Sequence, residues 1–277
     1  MKWACRLWAA SAFFSTAVEA AVSLAGTRLV FDGRFRESSI EVSNPGTTST
    51  LIQAWLSTPD AEPSVTSDLP FVVTPHLAQL PAQGKQTLRL LYEGVGMPGD
   101  RESLLHLYVL EVPRRSEAAQ QLSIAIRQRI NVFYRPDSLP GDPAEAAMNL
   151  EWQRSATGDH ALRVRNPTPF YVALQDLVFE GREVSEYLLI EPLSERSLTW
   201  PSTPNSRSVR GRLTFKALTD YGGQRAFCAQ APGDTPFNAR LNAAGAESPA
   251  ALTAPPTAPP TAPPRAVLAA DSTMEKC

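Results

Sequence analysis

The side chains that could do covalent or metal chemistry are few, and their spacing does not suit it. The chain of 277 residues holds three histidines and three cysteines. His76 follows Pro75, His106 sits in an apolar run, and His160 follows Gly158-Asp159. No His-x-x-x-His or Cys-x-x-Cys spacing occurs, so a zinc ion would lack its ligands. Nucleophilic catalysis needs a nucleophile, a base within hydrogen-bond reach and a group to orient that base. No Gly-x-Ser-x-Gly elbow presents a serine, and no glycine-rich loop follows a strand to cradle phosphate. The neighbouring carboxylates Glu180, Glu183 and Glu186 read as solvated loop charges. An exported hydrolase is therefore set aside, and no cofactor or metal is expected. Nucleic acid is not an expected partner either. With 26 Lys+Arg against 28 Asp+Glu, the chain has no cationic surplus to replace phosphate counterions.

One run stands out by its alternation, which by itself reads as a half-buried core strand. Between Gln121 and Tyr134, the residues Leu122, Ile124, Ile126, Ile130, Val132 and Tyr134 share one parity, while Arg127, Arg129, Asn131 and Phe133 share the other. At about 3.3 Å per residue this predicts a strand roughly 45 Å long, about twice the ordinary length.

The elements around it follow the same period. Runs at Thr27–Phe31, Ser39–Val42, Leu51–Leu56, Thr87–Tyr92 and Leu104–Val112 precede it, with Pro, Gly, Asn and Ser at their ends. Leu162–Arg165, Tyr171–Leu174, Leu177–Phe179, Tyr187–Ile190, Ser197–Trp200 and Leu213–Lys216 follow. Turn signals every 8–12 residues or so favour sandwiches over a parallel sheet. Three prolines between Pro136 and Pro143 mark a boundary, giving all-β domains over 21–136 and 146–232 joined by a linker at 137–145.

The ends stand apart. Residues 1–20 read as a secretory signal, with Lys2 and Arg6 ahead of an apolar stretch and Val18-Glu19-Ala20 as the cleavage site. That stretch is shorter than the roughly 20 residues needed to span a bilayer, and no later segment qualifies. Thr253–Pro264 reads TAPPTAPPTAPP, an extended polyproline-like spacer, and everything from 233 to 277 is expected to lie outside the fold. Cys5 leaves with the signal. Cys228 and Cys277 can then pair with each other, pair between molecules, or stay free.

Five motifs resemble one family. They are Ala21-Val22-Ser23-Leu24 with Gly26-Thr27-Arg28-Leu29-Val30-Phe31, Asp100-Arg101-Glu102-Ser103, Ile130-Asn131-Val132-Phe133-Tyr134-Arg135-Pro136, Asn166-Pro167-Thr168-Pro169-Phe170-Tyr171, and Asp220-Tyr221-Gly222-Gly223. In this order and spacing they are similar to the PapD-type periplasmic pilus chaperones of the chaperone–usher pathway. The resemblance implies two immunoglobulin-like β-sandwich domains in a boomerang arrangement, located in the periplasm. The implied clients are pilin subunits, which lack their last strand, and the implied acceptor is an outer-membrane usher. Such a client exposes an apolar groove and open sheet edges. The chaperone lends an edge strand, and chaperone–pilin donor-strand complementation is an established example of this mode. Leu122, Ile124 and Ile126 match the lent side chains. They should therefore face outward in the free protein, or be covered by self-association. The short connection Val112-Pro113-Arg114-Arg115-Ser116-Glu117 resembles the short-loop branch.

The same resemblance implies that an Arg and a Lys in the interdomain cleft hold the pilin's C-terminal carboxylate. Arg28 matches the Arg, but the Lys position is Asn131. An amide donates without positive charge, and a charge-assisted bond is roughly twice as strong as a neutral one. Arg129 lies two residues back on the same face, about 6.6 Å away, and is the candidate to compensate. Glu102, Arg135 and Asp220 match a trio of charges that bridges the domains and sets their angle. The competing expectation is an exported immunoglobulin-like adhesin or structural pilus component, which would have no need of Arg28 or the trio.

Overall fold

Alternating apolar residues bury one face of each strand and leave the other to solvent, which selects two-layer packing. The computed structural model describes residues 22–61, 69–113, 124–154, 161–199 and 211–242. The expected signal, Leu122, most of the short connection before it, His160, Cys277 and the proline repeat lie outside these residues.

In the first half the strands are β1 (Ser23–Leu24), β2 (Arg28–Asp32), β3 (Glu37–Ser43), β4 (Thr50–Ser57), β5 (Phe71–Thr74), β6 (Leu77–Leu80), β7 (Lys85–Tyr92), β8 (Ser103–Pro113) and β9 (Ile126–Arg135). They form sheets of order β1-β3-β7-β5 and β2-β9-β8-β4-β6. After a 3-10 turn at Pro143–Glu145 come β10 (Glu151–Arg154), β11 (Ala161–Asn166), β12 (Val172–Phe179), β13 (Arg182–Ile190), β14 (Ser194–Thr199), β15 (Arg212–Leu218), β16 (Gln224–Gln230), β17 (Phe237–Asn238) and β18 (Arg240–Leu241). Their sheets run β14-β11-β10-β17 and β13-β12-β15-β16-β18. Each half closes on its own core. Phe31, Phe71, Tyr92 and Tyr134 form a ring cluster in the first, with centroids 4.6–6.1 Å apart. In the second, Phe215 stacks on Phe227 and Trp152 lies tilted against Phe215. Two immunoglobulin-like sandwiches result.

Three expectations need correction. The long strand begins at Ile126, with Ile124 and Ala125 outside any strand. Its ladder with β8 ends at the pair Glu111↔Ile126, two residues before β8 itself ends at Pro113, so Ile124 and Ala125 have no ladder partner among the described residues. The second fold also extends past residue 232. Phe237 and Ala239 are core residues, and β17 and β18 pair with β10 and β16. Glu180, Glu183 and Glu186 are not free loop charges: Glu180 sits 3.0 Å from Arg154 and accepts from the Gly211 amide, and Glu183 and Glu186 are exposed positions of β13. Cys228 is buried in β16 and disulfide-bonded.

Candidate functional site

The chain enters the second sheet of the first sandwich at Arg28. There β2 pairs in parallel with β9, from Arg28↔Asn131 to Asp32↔Arg135. Only the C-terminal half of β9 is therefore flanked on both sides. From Ile126 to Ile130 it pairs with β8 alone, and its other edge has no partner among the described residues. Ile126 is 40% exposed and Ile124, just before the strand, 63%. The open edge and Arg28 share one lane: any strand laid along 126–130 ends where β2 begins.

Across the same sheet, one row of register partners carries polar side chains. Arg28 on β2 faces Asn131 on β9, which faces His106 on β8, which faces Ser57 on β4. Arg28 is half-buried, its guanidinium lies over the Phe133 ring at 5.8 Å, and its Nε is buried without a hydrogen-bond partner. Burial lowers its pKa, and the fields of Tyr187, Asp220 and Glu102 oppose that shift. Asn131 Nδ2 donates weakly to the Tyr187 hydroxyl of the second sandwich at 3.4 Å. Arg129 is exposed and lies beside Tyr108 rather than in this row.

Behind Arg28 the two sandwiches are joined by charge. Arg135 Nε donates to Glu102 at 2.6 Å, and its two terminal nitrogens donate to the two oxygens of Asp220 at 2.8 and 3.0 Å. Glu102 is 3% exposed and also accepts from the Tyr171 amide at 2.7 Å. Burial raises its pKa, while the Arg135 field and the Tyr171 amide pull it back. For Arg135, burial works against the charge, but the bonds to Asp220 and Glu102 outweigh it and hold the pKa above its ordinary value. Burial, followed by the fields of Glu191 and Glu102, pushes the Tyr171 phenol up to about 12. Local structure holds the parts in place. Asn166 is fully buried and donates to the Phe170 and Glu191 carbonyls, which fixes the loop that sets Phe170 under Arg135 at 5.5 Å. Gly33 donates to the Arg135 carbonyl at 2.7 Å, and a Cβ there would lie 2.8 Å from that oxygen. A cavity of about 360 Å³ opens among Arg28, Glu102, Phe133, Tyr171 and Asp220.

The structure thus brings Glu102, Arg135 and Asp220 together, and puts Arg28 and Asn131 side by side. Arg129 is on the same face as Asn131, two residues earlier, exposed and beside Tyr108 rather than Arg28, and Leu122 lies outside the described residues. Tyr187, Tyr171, Phe133 and His106 were not singled out for the site. Tyr171 and Phe133 lie inside the quoted motifs. The place of His106 depends on the β8–β9 register, which periodicity alone does not supply.

Two sandwiches joined through the Arg135 charge cluster, with an open strand edge leading to Arg28 at the cleft between them, define a two-domain, immunoglobulin-like all-β protein. The comparisons place it. Residues 21–140 match the family model described as "Pili and flagellar-assembly chaperone, PapD N-terminal domain", and residues 145–229 match "Pili assembly chaperone PapD, C-terminal domain". The chain belongs to the PapD family of pilus-assembly chaperones, a family of chaperones rather than enzymes or adhesins. It is 36% identical over 223 residues to the probable fimbrial chaperone YadV of Escherichia coli K12, covering 76% of this chain and 89% of that one. To the chaperone protein FimB/FhaD of Bordetella pertussis it is 35% identical, with 76% and 88% covered. The solved YadV structure superposes with a TM-score of 0.62 at 33% identity, covering 76% of this chain and 98% of that one. The Salmonella enterica SafB chaperone, solved in complex with the SafA pilin, gives 0.65 at 28% identity, covering 80% and 96%. No helix among the described residues is long and apolar enough to cross a membrane.

Proposed function

We propose that this chaperone works in the periplasm after removal of residues 1–20. There it caps pilin subunits by donor-strand complementation and hands them to an outer-membrane usher. The observation that carries this reading is the open edge of β9, with Ile124 and Ile126 exposed, running straight into Arg28. Main-chain hydrogen bonds along 126–130 supply affinity, and alternate apolar side chains fill the client's groove. Five residues separate Ile126 from Asn131, about 17 Å along the strand. A client strand parallel to β9, as β2 is, would place its terminal carboxylate against the unpaired Arg28 Nε. A guanidinium suits that group because its fork donates two charge-assisted bonds. Asn131 contributes an amide, and Arg129 supplies positive charge from the neighbouring position on the same face. The cluster of Glu102, Arg135 and Asp220 fixes the angle at which the second sandwich closes the cleft. The pilin complex of SafB supports the choice of client.

Co-expression with a candidate pilin tests the reading. A soluble one-to-one complex is expected, and Arg28→Ala should abolish it. A complex that survives Arg28→Ala unchanged would defeat the cleft mechanism.

A further inference from the structure

His106 is 7% exposed, and its Nδ1 is buried with no hydrogen-bond partner. Arg28 Nε is unpartnered in the same way, and the two residues flank Asn131 in a single cross-sheet row. Buried polar side chains are normally satisfied, so two orphans on either side of one residue point to a missing third party. We infer that His106 is the titratable member of the carboxylate-binding row, taking up a proton when a client's chain end docks between Arg28 and Asn131. This rests on the proposed carboxylate anchoring and adds a specificity-determining residue to it.

The surroundings of the ring are consistent. From β9 it faces Asn131, with Arg129 next along that strand, and from β4 it faces Ser57, with Trp55 next. On β8 itself Tyr108 packs edge-on at 6.1 Å. Arg28 lies one strand beyond Asn131, and Tyr187 reaches Asn131 from the second sandwich. Among the described residues, Arg129 is the charged side chain whose field bears on the ring, and none of them favours the imidazolium. Burial first, and then Arg129, hold the ring's pKa below its ordinary value.

A carboxylate at Arg28 changes this. It lies between one and two strand spacings from His106, about 5–10 Å. At that range and an effective dielectric near 20, opposite charges shift a protonation equilibrium by about tenfold or more. The same reasoning gives Asn131 a purpose. A lysine there would put a permanent cation beside the ring and suppress its protonation. Beside the fixed charge of Arg28, the row then carries a second one that follows pH. The bound state has the higher pKa, so the added affinity is fully present below the free ring's pKa and is lost as pH rises through the bound ring's pKa.

The test is an NMR titration of the histidine rings in the full chain. The probe is an acetylated Thr-Val-Thr-Val-Ala peptide with a free C-terminal carboxylate, with its C-terminal amide as control. With three histidines, single substitutions assign the resonances. The free acid should raise the His106 pKa and bind about tenfold more tightly at pH 5.5 than at pH 7.5. The amide should do neither. His106→Gln and Asn131→Lys should each flatten the pH dependence. If His106→Gln fails to fold, the ring titration of the unsubstituted protein decides alone. An unchanged His106 pKa, with binding still weakened by Arg28→Ala, would overturn the role of His106 and leave the anchoring intact. Equal binding of acid and amide, or no loss with Arg28→Ala, would overturn the anchoring and this inference together.

Discussion

Replacing Arg135 with Met should cost about 3 kcal/mol of stability at pH 7, and most of that loss should vanish at pH 5. The Glu102 side chain is 2% exposed, and Arg135 is its partner at 2.6 Å. Removing one member of a buried pair costs about 3–5 kcal/mol, because the other charge is left without a partner. Glu102 can limit the loss by taking up a proton. From an ordinary value of 4.5, protonation at pH 7 costs about 3.4 kcal/mol, at about 1.36 kcal/mol per pH unit. That sets the ceiling. Asp220 is more than a third exposed and adds little once its partner is gone. The sign of the pH effect follows from linkage. In the variant, folded Glu102 has a raised pKa and holds a proton that the unfolded chain has released. Stability therefore falls as pH rises above the ordinary value and recovers on acidification, by about 2.7 kcal/mol between pH 7 and pH 5. Urea unfolding at the two pH values measures both numbers. Glu102→Gln removes the buried charge but keeps one acceptor oxygen for two donors, Arg135 Nε and the Tyr171 amide, so it should cost about 1–3 kcal/mol at pH 7 and show little of this pH dependence. An Arg135→Met deficit below about 1 kcal/mol, or one of equal size at both pH values, would refute this account of the cluster.

Three other substitutions probe separate parts. Gly33→Ala puts a Cβ 2.8 Å from the Arg135 carbonyl, so it should destabilise by about 1–3 kcal/mol in thermal unfolding and loosen the adjoining cluster. Ile126→Asp changes a side chain that is 40% exposed, so stability should move by no more than about 0.5 kcal/mol while pilin co-purification is lost. Asn131→Lys should tighten pilin binding at pH 7.5, and Arg129→Ala should weaken it by about fivefold or less, as befits an exposed charge; calorimetry on the purified complex reads both.

The core strands were legible because their alternation is clean: Leu88 and Leu90 point inward from β7, as Leu105, Leu107 and Val109 do from β8. Where the alternation fails, the strands are not legible in the sequence. Phe71–Thr74 and Leu77–Leu80 are short and lie either side of Pro75, which breaks the pattern. Tyr171–Leu174 and Leu177–Phe179 looked like two strands, but the structure has one. It bends at Asp176, whose φ of 52° accompanies a register shift. The chain after residue 232 looked like tail because its two-residue strands are too short to show any period. The site was readable only in part. Single charges at positions 102, 135 and 220 carry no pattern of their own, and only the motif resemblance gathered them. His106 looked like one more strand residue, since its neighbours across the sheet depend on a register that turn chemistry and long loops set elsewhere.

The central claim is that the open edge of β9 receives a client strand ending at Arg28. Amide hydrogen exchange of the chaperone, alone and in complex with a pilin, tests it most directly. The account predicts new protection on the amides between Ile126 and Ile130 that point away from β8, ending where β2 already covers the strand. Binding that leaves those amides as fast as in the free protein would contradict it.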